Sequence, residues 1–152
     1  MTMRICCVST RNQADSKNKK EELAMRIVIA GPKSSGKSST GRQLAVDLGL
    51  PLVETDNIVE ELYYQDTGTK KSCRDIYHQD GESKFRELEA RAVEGISRDQ
   101  WCVVCTGGST LFNPDLRRIM RINSIIVFIH TEPEALWERL SKRELPGFLS
   151  GP

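Results

Sequence analysis

Eight consecutive residues, Gly31-Pro32-Lys33-Ser34-Ser35-Gly36-Lys37-Ser38, follow the pattern Gly-x-x-x-x-Gly-Lys-[Ser/Thr]. That spacing suits phosphate chemistry. Its glycines let the backbone turn tightly, so that successive N–H groups converge on one anion. The lysine reaches the β- and γ-phosphates of a nucleoside triphosphate, and the Ser38 hydroxyl is placed to hold Mg²⁺. Gly31, Ser34, Ser35, Gly36, Lys37, Ser38 and Ser39 are thus the candidate ATP contacts. A glycine-rich stretch by itself is an ordinary turn, so its neighbours decide between the two readings.

The neighbours are a strand and a helix. Met25 to Ala30 is a short β-branched run that reads as a buried strand. Ser39 to Leu48 carries helix formers, with apolar Leu44, Ala45 and Leu48. This order sets the positive end of a helix dipole against the loop. The alternation then continues. Leu52-Val53-Glu54 predicts a second strand, and Thr55 or Asp56 a cap for a helix through about Tyr64. Thr67 to Lys71 reads as a polar turn, Ser72 to His78 as a short helix and Gly81 to Ser97 as a longer one. Trp101 to Cys105 is the third expected strand and Ser124 to Ile129 the fourth, apolar on both faces. Helices are expected from Pro114 to Met120, capped by Asn113, and from Thr131 to Arg143, with Pro133 in the first turn. Strands alternating with helices predict an α/β fold with a parallel sheet, whose ligands bind beyond the carboxyl ends of the strands.

The chain has 152 residues, a length suited to one domain with its own core. Its 22 basic and 21 acidic side chains leave a net charge of +1, which gives no bulk attraction to nucleic acid or a membrane surface. No apolar run approaches the ~20 residues that span a bilayer. Five cysteines, an odd number, argue against a disulfide framework. Cys102-Val103-Val104-Cys105 has redox-motif spacing, but strand alternation would send its two thiols to opposite faces. Buried, reduced cysteines in a reducing cytosol are the expectation. His78 and His130 lack ligand-like neighbours, and Arg117, Arg118 and Arg121 read as a solvated stripe. Residues 1–24 read as a disordered extension ahead of a domain from 25 to 152.

Four blocks, in order, resemble one family, the shikimate kinases. The first is Gly31 to Ala45, including Gly41-Arg42-Gln43-Leu44-Ala45. The second is Glu54-Thr55-Asp56 with Val59-Glu60, similar to the family's Asp-Thr-Asp and Ile-Glu. The third is Asp75-Ile76-Tyr77 with Gly81 to Glu89, which resembles Gly-Glu-x-x-Phe-Arg-x-x-Glu. The fourth is Thr106-Gly107-Gly108-Ser109, where the family has three glycines. The resemblance implies a three-layer αβα P-loop kinase fold that uses ATP and Mg²⁺. It implies phosphoryl transfer from ATP to a hydroxyl of shikimate or a similar small polyol acid. The implied partner is that small molecule, in the cytoplasm, with no nucleic acid and no membrane.

On this resemblance Asp56 accepts or orients the proton of the attacking hydroxyl, with Lys37 spreading the phosphate charge. Glu54 stands where the family's first Asp organises Mg²⁺ through water. Arg86 matches the arginine that clamps the substrate carboxylate, a task its planar fork suits. Gly107 and Gly108 let backbone N–H groups approach the substrate. Each has a structural alternative: Asp56 a helix cap, Arg86 a solvated helix residue, the glycines a tight turn. Tyr77 and Phe85 could wall the pocket or join the core. For the lid arginine that reaches the phosphates, Arg143 is the better match and Arg139 the alternative.

Residues after about 145 lack the family's usual closing elements, so the domain is expected to be C-terminally incomplete. Four strands without the usual fifth leave Ser124 to Ile129 as an apolar edge, compatible with a monomer or a weak homo-oligomer through that edge. Weak or absent turnover is expected for this form acting alone. Two other functions stay open at this point. One is a kinase for another acceptor, such as gluconate. The other is a non-catalytic nucleotide-binding remnant.

Overall fold

The computed structural model describes residues 24–96, 98 and 100–142. Four parallel strands form one sheet: β1 (Arg26–Ala30), β2 (Leu52–Glu54), β3 (Cys102–Cys105) and β4 (Ser124–Phe128), in the order β2-β3-β1-β4. The helices between them are α1 (Lys37–Leu48), α2 (Thr55–Thr67), α3 (Cys73–Asp75), α4 (Gly81–Gly95), α5 (Pro114–Arg121) and α6 (Pro133–Ser141). This is the expected layered α/β arrangement. The extension expected over 1–24 lies, but for Ala24, outside the described residues.

Alternation along the strands builds the two layers. Val28, Cys102 and Val104 face α4 and α5, packing with Val93, Leu116 and Met120. Ile29, Val103 and Cys105 face the other way, against Ala45 of α1. The two cysteines therefore do lie on opposite faces, as the alternation predicts. A helix pair covers the site from the side: Val59 and Tyr63 of α2 meet Leu88 and Ala92 of α4, with Ile76 between them. Ile76 and Leu88 are fully buried, and each such burial contributes roughly 1.5–3 kcal/mol.

Several boundaries move. Helix α2 runs on to Thr67 and stops at Gly68, which turns left-handed (φ 71°). The expected helix from Ser72 to His78 divides in two. Ser72 caps α3, accepting the N–H of Asp75 at 3.1 Å, and Ile76–Asp80 then widens into a π-helical turn. Such turns are frequent at functional sites. Strand β4 is one of the two sheet edges, and Ile125, Val127 and Phe128 are exposed on it. No helix among the described residues is long and apolar enough to cross a membrane.

Candidate active site

Three strands end at one level, because Glu54 pairs with Cys105 and Cys105 with Ile29. The segments that follow them, 31–36, 55–56 and 106–109, therefore meet above the carboxyl edge of the sheet. Together with α3, α4 and α6 they enclose a cleft of about 750 Å³.

The phosphate loop forms one wall. Gly31 has φ 147°, and a Cβ there would lie 2.8 Å from the Ile129 carbonyl oxygen and 2.9 Å from Ser35 Oγ. Only glycine fits such a position. Ser34 is left-handed (φ 65°), as is Gly36 (φ 98°), which caps α1. The first turn of α1 carries no acidic residue, so its unpaired N–H groups keep a positive end toward the loop. Ser34, Gly36, Lys37, Ser38 and Ser39 line the cleft. Gly31 and Ser35 form the loop's underside, where the Ser35 N–H donates to the Pro32 carbonyl at 3.2 Å. Lys37 Nζ donates to that same carbonyl at 2.8 Å. Burial lowers the Lys37 pKa, and the charge of Asp56 opposes that drop.

Asp56 sits in the first turn of α2. Neither it nor Thr55 caps the helix as expected: Glu54 is the cap residue, with no side-chain bond. The Thr55 side chain bonds the neighbouring turn instead, and Asp56 lies beside it. Thr55 Oγ1 accepts the Gly107 N–H at 2.9 Å. Asp56 Oδ1 comes within 3.1 Å of where a Gly107 Cβ would stand. Water reaches the Asp56 side chain, yet the surrounding walls raise its pKa above the ordinary carboxylate value. Lys33 and Lys37 oppose that rise, whereas Glu89 and Glu60 add to it.

Arg86 enters from α4. Its Nη1 donates to Glu89 Oε2 at 2.8 Å and to Ser109 Oγ at 2.9 Å. Its Nε and Nη2 both face Glu82 Oε1 at 3.3 Å. Glu89 is only 2% exposed and also accepts from Thr110 Oγ1 at 2.7 Å. Tyr77 and Phe85 pack edge to face (5.8 Å between centroids) and both line the cleft. Tyr77 forms pocket wall, and Phe85 meets both of its sequence readings, lining the cleft while packing against the cluster of Ile76 and Leu88.

The remaining expected residues separate. Glu54 lines the cleft, held by Arg42 Nη2 at 3.3 Å and Asn57 Nδ2 at 3.4 Å. Hydroxyl and carboxylate oxygens, from Ser38 and Glu54, are the donors Mg²⁺ prefers. Gly107 and Gly108 lie on the floor. Arg143 lies outside the described residues. Arg139, the alternative, reaches over the loop and donates to the Ser34 carbonyl at 3.2 Å.

Ser109, where the sequence adds a hydroxyl in place of the third glycine and so points to altered acceptor contacts, holds Arg86. Sequence reasoning missed three contributors. Glu89 reads in the sequence only as a letter of a motif. Lys33 was read only as a spacer in the loop, yet it lines the cleft. At Gly41, a Cβ would collide with Cys105 Sγ, so glycine lets α1 close on β3 beneath the loop. An isolated glycine inside a helical pattern was the available signal.

Known proteins carry the same framework. A family model described as Shikimate kinase matches residues 33–148. The shikimate kinase of Caldicellulosiruptor saccharolyticus is 36% identical over 115 residues, 75% of this chain and 63% of that protein. That of Symbiobacterium thermophilum is 36% identical over 133 residues, 84% of this chain and 71% of that protein. The chain thus spans 63% and 71% of these relatives' lengths. A solved shikimate kinase from Acinetobacter baumannii, in complex with shikimate, superposes with a TM-score of 0.67 at 26% identity. That match covers 78% of this chain and 63% of the other. Since the match takes in the loop, the α4 arginine and the floor glycines alike, the chain belongs to the shikimate kinase family.

Proposed function

We propose that this chain takes part in ATP-dependent phosphoryl transfer to a hydroxyl of shikimate or a similar small polyol acid. One observation carries the reading: a phosphate loop, a carboxylate and a guanidinium open onto the same cleft. The loop N–H groups and Lys37 hold the phosphates of ATP and stabilise charge on the transferring group. Mg²⁺, held by Ser38 and through water by Glu54, would neutralise phosphate charge when bound. Asp56 accepts the proton of the acceptor hydroxyl or orients it for in-line attack. Arg86, already fixed by Glu89, receives the acceptor's carboxylate on its planar fork. Arg139 is placed to cover the loop from α6.

The fork also selects the acceptor class. A carboxylate that displaces exposed Glu82 from Nε and Nη2 makes two parallel bonds there, and an uncharged sugar makes none of that strength. The test is single-turnover transfer, with protein in excess over Mg·ATP, to shikimate, gluconate and nucleoside monophosphates in parallel. Mass spectrometry is expected to find phosphorylated shikimate first and fastest. Transfer to gluconate alone would move the reading to another acceptor. Tight nucleotide binding with no transfer to any of them would refute it.

A further inference from the structure

We propose that Lys33 is a further acceptor-binding residue, placing a second cation beside Arg86 in the acceptor half of the cleft. This rests on the phosphoryl-transfer reading above. Phosphate-loop side chains ordinarily serve the nucleotide, but the floor turn places this one elsewhere. Its consecutive residues lie against residues from three different elements. Gly107 meets Asp56 Oδ1, with 3.1 Å to the position of an added Cβ. Gly108 meets Lys33, whose N and Cβ lie 3.0 and 3.3 Å from such an atom. Ser109 bonds Arg86 at 2.9 Å. The backbone and Cβ of Lys33 thus pack on the same turn that meets Asp56 and Arg86, and all three line one cleft.

The side chain is exposed and lines the cleft with Asp56, Tyr77 and Arg86. Its charge acts on Asp56 more strongly than that of Lys37, and it also acts on Cys73 of α3. Asp56 and Cys73 both line the cleft, and the same charge acts on Lys37 as well. An ammonium there donates to an acceptor oxygen next to the hydroxyl that Asp56 engages. A small acid bearing several hydroxyls offers such an oxygen, and an acceptor with one isolated hydroxyl does not. Lys33 thus favours polyol acids over simple alcohols.

The test is calorimetric titration of the full chain with shikimate and, separately, with Mg·ADP. Lys33→Met keeps the stem and removes the charge. It is expected to weaken shikimate binding about 5–20-fold, the range for a partly solvated charged hydrogen bond. Mg·ADP affinity should stay within about twofold, whereas Lys37→Met loses it. Lys33→Arg, which keeps the charge, should retain most of the shikimate affinity. Unchanged shikimate affinity in Lys33→Met would overturn the inference alone. So would a loss confined to Mg·ADP, which returns Lys33 to the nucleotide. No shikimate binding by the unaltered chain would instead overturn the phosphoryl-transfer reading, and this inference with it.

Discussion

Replacing Arg86 by Ala tests two roles that the structure gives to one side chain. The first is acceptor binding. A guanidinium–carboxylate pair in a cleft is worth about 2–4 kcal/mol when one partner is removed, or roughly 30- to 1000-fold in affinity. The second role is structural. Glu89 Oε2 loses its 2.8 Å partner and the carboxylate keeps Thr110, at 2.7 Å, with its side chain 3% exposed. Stranding a buried charge costs about 3–5 kcal/mol. Arg86 is itself 35% exposed, so water follows into the gap and the cost falls to about 2 kcal/mol. The thermal midpoint should then drop by about 4–8 °C. The double variant Arg86→Ala/Glu89→Gln separates the roles. Its neutral amide still meets Thr110 and strands no charge. Thermal denaturation should show most of the midpoint recovered, while calorimetry with shikimate should show binding still lost. Recovery of both would mean that Arg86 only supports Glu89, and the clamp would be refuted.

Other expectations follow from single groups. Gly31→Ala forces a Cβ against the Ile129 carbonyl and Ser35 Oγ; it should cost about 1–3 kcal/mol of stability and at least about tenfold in Mg·ADP affinity, read by calorimetry. Burial holds the Asp56 pKa above the usual carboxylate value, so the acid limb of kcat/KM should lie above about pH 4. A limb at or below that value would contradict the burial. The same rise makes ionised Asp56 a cost to folding: stability falls as pH climbs from about 4 through the raised pKa, then levels. Asp56→Asn should thus abolish transfer and stabilise the fold at neutral pH, a gain that denaturant titration should find missing near pH 3. Burial pushes the Cys105 thiol to about 11, so at pH 8 only about 0.1% is thiolate. Iodoacetamide labelling of Cys105, mapped by mass spectrometry, should be far slower in the folded protein than in urea, and equal rates would refute its burial.

Local patterns carried the framework of the fold. The run from Met25 to Ala30, the loop spacing and the apolar face of α4 each sit within a few residues, so periodicity alone exposes them. Asn113 accepts the N–H groups of Asp115 and Leu116, as its place before Pro114 predicts. Where local rules met a long-range partner, the partner won. Asp56 looks like a cap, but the turn at 107 draws Thr55 and Asp56 away from the helix end. Arg26, a charged residue in the first strand, is fully buried. Its Nη2 donates to the carbonyls of Ile119, at 3.2 Å, and Ile122, at 2.7 Å, fixing the end of α5 to the sheet.

The acceptor half of the site has the same origin, which is why the sequence named Asp56 and Arg86 but neither Lys33 nor the relations among the three. Asp56, Lys33 and Arg86 come from α2, the phosphate loop and α4, and no spacing joins them. What joins them is strand register. Glu54 opposite Cys105 sets residue 56 beside 107, and Ile29 opposite Cys105 sets residue 33 beside 108. A slip of one residue in β3 would reverse its faces. Cys102 and Val104 would turn from Val28 and Leu116 toward α1, and the same slip would part Gly107 from Asp56. Core packing and site geometry therefore select the same register. The buried Val-Val pair of β3 is, by this route, as much a determinant of the acceptor pocket as the charged groups that line it.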